Sequence, residues 1–296
     1  MSIAIQIGQI MFPLIAIVTL GVLVGLRKHP QLDSISEINL QVFIPALVFS
    51  SLLQQQFQIR EYAVLGASGL CLVLFTSLFA IPVARILNIE YRTVAPPMMF
   101  HNAGNIGLPL MSLALGTEGL AAGLILFLIG NLTHFGIGSY MLEQNARWVR
   151  SITSPAILAA LLALLLQSQN IQLESFIALP IHMLGSIAVP LMLFSLGVQL
   201  SQANLDYWKL GMLVGLITPA IGVMAALIIS ALAPMEKIQT AALILFGALP
   251  PAVMNFLFAK RYQQEPTKVS AIVMVGNVMA IITLPLALFF VLPRFS

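Results

Sequence analysis

The sequence predicts an all-α integral membrane protein of ten transmembrane helices, arranged as two inverted five-helix repeats. Three observations carry this prediction. The 296-residue chain is 59% hydrophobic and 8% charged, with a mean hydropathy of +1.01, which excludes a soluble domain of this length. Every Asp, Glu, Lys and Arg falls in a loop or at a helix end. Features of the first half recur in order in the second: Pro13 with Pro155 at a spacing of 142, Pro45 with Pro190 at 145, Pro109 with Pro250 at 141, and Gly130-Asn131 with Gly276-Asn277 at 146. Any one match is weak, since Pro and Gly are common in membrane helices. Four in order within a five-residue window define repeats over residues 1–150 and 151–296. An odd number of spans per repeat inserts the second half upside down, as in secondary transporters.

Each predicted span is near the ~20 residues a helix needs to cross the bilayer. Span 1, residues 5–26, opens in MSIAIQIGQI; without Lys or Arg this reads as the start of a span rather than a signal peptide. Span 2, 35–53, carries FIPALVFSSL, and span 3, 62–84, carries the lone Cys71, which excludes an intramolecular disulfide and reads as a small buried side chain. Span 4, 93–115, is interrupted by HNAGNIGLPL, and span 5, 119–142, carries Asn131, Thr133 and His134. Span 6, 152–168, span 7, 176–200, and span 8, 208–232, follow. Span 9, 237–259, is interrupted by FGALPPAVMN, and span 10, 268–292, carries Asn277. Tyr62, Tyr91, Tyr140, Tyr207, Tyr262, Trp148 and Trp208 all fall at span ends, the aromatic belt of the headgroup level. The loops after odd-numbered spans hold ten Lys and Arg against three on the other side, which places the first set in the cytoplasm and both termini outside. The expected location is the cytoplasmic (plasma) membrane.

Proline in a spanning helix removes a backbone donor, and the freed groups are tolerated only where protein or a water-filled cavity covers them. Paired breaks in corresponding halves point to a substrate site at the bilayer midplane. Beside them lie Asn102, Asn105, Pro109, Pro250, Pro251 and Asn255, the candidate substrate-binding set. An amide offers two donors and an acceptor without a charge to desolvate. Pro109 and the Pro250-Pro251 pair are placed to start half-helices, whose N-termini each carry about +0.5 charge; two converging on one spot suit a carboxylate. His101, Asn131, Thr133, His134 and Asn277 are candidates for coupling or support, and neutral interhelical hydrogen bonding is the plain alternative for the asparagines. His134 and His182 are the titratable groups expected deep in spans, and so candidates for proton coupling. Asn105, Asn131 and Thr133 are an alternative sodium set. No metal-spaced Cys/His set, HExxH or phosphate loop occurs, and no cofactor is expected. Gly66-Ala67-Ser68-Gly69 matches the GxSG of intramembrane proteases, but small residues at this spacing more often let helices approach, so an enzyme is not expected.

The stretch ALPPAVMNFLFAKRYQQEPTKVSAIVMVGNVMAIITLP, residues 248–285, resembles the end of the auxin efflux carrier family. Asn102 through Gly107 with Pro109, and IPALVFSSL, resemble that family's broken fourth helix and second helix. The resemblance implies a fold shared with bile-acid sodium symporters. Spans 1, 2, 6 and 7 would form a scaffold, and spans 3–5 and 8–10 a moving transport domain around crossed helices 4 and 9. It further implies transport of organic anions such as auxin, malate or malonate, a homodimer through spans 2 and 7, Asn102 as a substrate ligand, and Pro109 and Pro250 at the crossover. Two departures stand out: only about nine residues separate spans 5 and 6, and span 3 carries no acid between Tyr62 and Ala84. The expected function is therefore a secondary transporter, an exporter of a small organic anion working by an elevator motion. Its charge-free span cores suggest that the membrane potential alone drives export. A sodium- or proton-coupled symporter of the same fold, a channel-like pore and an intramembrane enzyme are the alternatives.

Overall fold

A computed structural model describes residues 2–30, 32–54, 59–142, 153–169, 171, 173–202 and 206–295. Among them the chain is helical, without a strand. The helices are α1 (Ile3–Lys28), α2 (Asp33–Ile38), α3 (Ile44–Gln54), α4 (Ile59–Leu87), α5 (Tyr91–Met99), α6 (Leu108–Thr133), α7 (Ser139–Leu142), α8 (Pro155–Ser168), α9 (Ser175–Ser201), α10 (Trp208–Leu232), α11 (Lys237–Ala248), α12 (Met254–Arg261) and α13 (Pro266–Phe295). Wide π-turns over Asn39–Phe43, Ala103–Gly107 and His134–Gly138 join α2 to α3, lead into α6, and join α6 to α7. Among the described residues seven stretches are long and apolar enough to cross a membrane, and large apolar side chains such as Phe12, Ile86 and Leu232 point outward from them. The chain is thus a multi-pass membrane protein. Cys71 is exposed on such a face, not buried as the sequence suggested.

The apolar run of residues 103–142 is divided at Gly116, whose φ of 69° and ψ of −154° belong to glycine alone. That point separates the fourth and fifth predicted spans. The sixth is shorter than expected: α8 has 14 residues, starting where Ser154 caps its N-terminus and Pro155 takes the first turn.

Two sets of helices pack mainly within themselves. One comprises α1, α3, α8 and α9; the other α4 to α6 and α10 to α13. Between them, α1 meets α6 and α13, α3 meets α6, and the 103–107 turn meets α9. Glycines set the closest seams. A Cβ at Gly21 of α1 would run into the Phe194 carbonyl of α9, and one at Gly197 of α9 into the Val18 carbonyl of α1. Gly222 of α10 and Gly247 of α11 face each other in the same way. Small residues at such crossings are what allow backbones to approach in lipid, where water expulsion does not drive helix association. Gly66 and Gly69 likewise seat α4 against Ile125, Leu126 and Ile129 of α6, so the protease-like string serves packing.

At one end of the second set, the hydroxyl of Thr93 (α5) donates to Glu265 at 2.6 Å, and the Gln264 amide donates to Glu90 at 2.7 Å and to the Thr93 hydroxyl at 3.1 Å. Lys268 pairs with Glu265. Partial burial pushes the Glu265 carboxyl up, but hydrogen bonds from Lys268 and Thr93 outweigh it and hold the group below the usual carboxylate range.

Candidate functional site

The fourth and ninth predicted spans break where they meet. α5 ends at Met99, and Phe100 is extended, with φ −106° and ψ 101°. α11 ends at Ala248, and Leu249 is extended, with ψ 146°, because a proline follows it. The two extended pieces form an antiparallel bridge between His101 and Pro251. The Asn102 N–H donates to the Pro250 carbonyl at 2.7 Å, and the Ala252 N–H donates to the Phe100 carbonyl at 2.8 Å. Each half thus satisfies backbone groups that the other half's break sets free.

Three asparagines lock this crossing. The Asn102 amide donates to Asn277 Oδ1 at 2.6 Å. Asn277 in turn donates to the Pro251 carbonyl at 2.9 Å and to the Val273 carbonyl at 2.7 Å. Asn255 donates to the Phe100 and Ala252 carbonyls, both at 3.0 Å. All three are buried. Asn255 and Asn277 therefore hold the crossing in shape, and neither lines the cavity beside it.

That cavity measures about 160 Å³ and lies between the two helix sets. From the first set come Ser36, Asn39, Leu40 and Ile44 around α2 and α3, and Met192, Ser195 and Gln199 of α9. From the second come Phe100 to Asn105, then Phe127, Gly130, Asn131 and His134, and then Ala252 to Met254 with Leu257. The chain segments that open the 103–107 turn and α12 both reach it, so two helical N-termini face one space. Neither starts at a proline, as the sequence suggested. Pro109 lies in the first turn of α6, two turns past the bridge, and Pro250 and Pro251 form the extended break itself.

Of the sequence-predicted residues, Asn102, Asn105, His101, Asn131 and His134 line the cavity. Thr133 does not, and its hydroxyl donates to the Ile129 and Gly130 carbonyls of its own helix. His182 is exposed on α9 and does not reach the cavity. The sequence reading missed Asn39, Ser195 and Gln199. Ser195 sits in the repeated Phe-Ser pair of the second and seventh spans, a signal that pointed to the repeat but not to the site.

The cavity wall holds several polar atoms with no partner among the described residues. They are Asn39 Oδ1, Gln199 Oε1, both ring nitrogens of His101, and Nε2 of His134. The Met99 carbonyl lies beside the His101 ring but outside hydrogen-bonding geometry. Buried polar atoms normally find partners, so a wall of unpaired ones marks a place where a polar guest or water completes the set. Among the described residues no acid, Lys or Arg lines it.

Comparison of the chain with curated proteins gives no match. Residues 140–288 match the family described as "Membrane transport protein", which is half of the chain and includes the second broken helix, α12 and Asn277. Taken with the apolar helices and the motifs around both breaks, this match shows that the chain belongs to that family of membrane transporters, the auxin efflux carrier-like proteins.

Proposed function

We propose that the protein is a secondary transporter that exports a small organic anion across the plasma membrane. The observation that carries this is the position of the polar cavity. It is walled on one side by α2, α3 and α9 and on the other by the broken helices, and the two sides belong to helix sets that touch sparsely. A site shared across such a boundary changes its access when one set slides against the other, which is an elevator motion. In this reading α1 to α3, α8 and α9 are the scaffold, and α4 to α7 and α10 to α13 are the moving domain. The ten spans run as two inverted repeats with both termini outside, and two copies meet through spans 2 and 7. Helical N-termini and a ring N–H of His101 at the cavity suit a carboxylate.

The test uses purified protein in liposomes. Labelled malonate, malate and indole-3-acetate are followed in counterflow, which a carrier shows and a channel does not. We expect counterflow with at least one of them, and Asn102→Ala to weaken its binding by about tenfold, the worth of one hydrogen bond to a charged group. Failure of all three to bind or exchange would sink the organic-anion reading.

A further inference from the structure

We infer that His134 is the cationic partner of the transported anion: its imidazole takes up a proton as the anion enters the cavity, and the two cross the membrane together. This rests on the anion reading above and adds a proton site to it.

The geometry around His134 is that of a built site. The ring lies between two phenyl rings: Phe100 at 4.2 Å between centroids and 7° between planes, and Phe258 at 4.7 Å and 25°. Both faces are covered by aromatic rings, whose π-electrons attract an imidazolium once a counter-charge offsets its burial. Only the edge remains, and there the buried Nε2 has no partner among the described residues while His134 lines the cavity. His134 also opens a π-turn, a widened turn frequent at functional sites. Gly138 in the same turn leaves space for the stack, since a Cβ there would lie 2.8 Å from the Phe100 ring and 3.0 Å from His134 Cδ2.

The surroundings leave the charge to this residue. His101 is the other titratable side chain of the cavity wall; its ring is tilted 53° on Phe246 at 5.2 Å, and the bridge holds its backbone. On α12, Lys260 and Arg261 are exposed at the far end, followed by Tyr262, whose ring is 5.9 Å from that of Phe258. Tyr140 of α7 is exposed, and Glu37 beside the α2 wall is exposed and accepts from Gln41. None of these lines the cavity, and among the described residues no acid lies in its wall to hold an imidazolium. An incoming carboxylate supplies that acceptor. Proton and anion therefore bind with mutual help, each raising the affinity for the other by the same factor. The proton comes from solution on the loading side, sits on the imidazole, donates to the carboxylate, and leaves with it on the far side; no covalent bond of the anion changes. A monoanion then moves without net charge, which departs from the potential-driven export that charge-free spans suggest.

Isothermal titration of the purified full chain near pH 7, in buffers of different ionisation heat, counts protons taken up per bound malonate, malate or indole-3-acetate. We expect about one proton per anion in the wild type. His134→Gln should bind about tenfold more weakly and take up none, whereas His101→Gln should keep the uptake. Anion binding with no proton uptake in the wild type, or uptake that persists in His134→Gln, overturns the inference and leaves the anion reading standing. Absence of any anion binding removes both. Should His134→Gln fail to fold, Phe258→Leu decides: weaker anion affinity supports the stacked cation, and unchanged affinity overturns it.

Discussion

At the scale of single residues, the asparagines divide by what their amides already hold. Asn277 uses its oxygen and nitrogen on Asn102 and on the Pro251 and Val273 carbonyls, all buried. Replacing it by Ala strands those groups in a dry interior, at about 1–3 kcal/mol. We therefore expect Asn277→Ala to lower the melting temperature in detergent markedly, while Asn131→Ala, whose side chain faces the cavity, leaves it within about a degree or two and acts on binding instead. A thermal melt with and without substrate separates the two. The sequence made these residues legible as a polar cluster near the breaks, because an amide in an apolar helix stands out. It did not tell a ligand from a strut. Asn102 and Asn277 are 175 residues apart, and no spacing rule pairs them.

At the scale of elements, the two breaks differ in how much of them the sequence wrote. The break at 249–251 was visible because consecutive prolines force the preceding residue out of the helical region. The break at 100–102 contains no proline; the pairing with the other half fixes it there, at the edge of the 101–110 stretch that the sequence marked by Pro109, where a first-turn proline is tolerated without any break. The glycine seams carry a further expectation. Gly197→Val would drive the backbones of α1 and α9 apart, since even a Cβ meets the Val18 carbonyl. Overpacking of this kind costs about 1–3 kcal/mol or more, and folded yield on size-exclusion chromatography should fall sharply. Gly8→Val on α1 meets open space and should be silent by the same measure.

For the molecule as a whole, the Lys and Arg asymmetry sets the expected orientation, and the exposed apolar faces make it testable. Cys71 lies on such a face and can be replaced by Ala without disturbing the interior. In that background, Glu118→Cys should react with an impermeant maleimide in intact cells, and Gln263→Cys only after the membrane is opened; both positions are exposed. The reverse pattern would invert the topology. The membrane class and the repeat-like pattern were legible because lipid imposes them on composition. The shape of the cavity was not, since it is made by two helix sets brought together from across the whole chain.

The reciprocal bridge between Phe100–Asn102 and Pro250–Ala252 also bears on how the protein is made. During synthesis the first break enters the membrane well before its partner exists. Until some 150 residues more have emerged, its unpaired amide and carbonyl need shelter from lipid. The amino-terminal half is thus a client of the insertion machinery for that interval, and a truncated chain ending before the second break should be cleared by quality control instead of persisting as an independent folded unit.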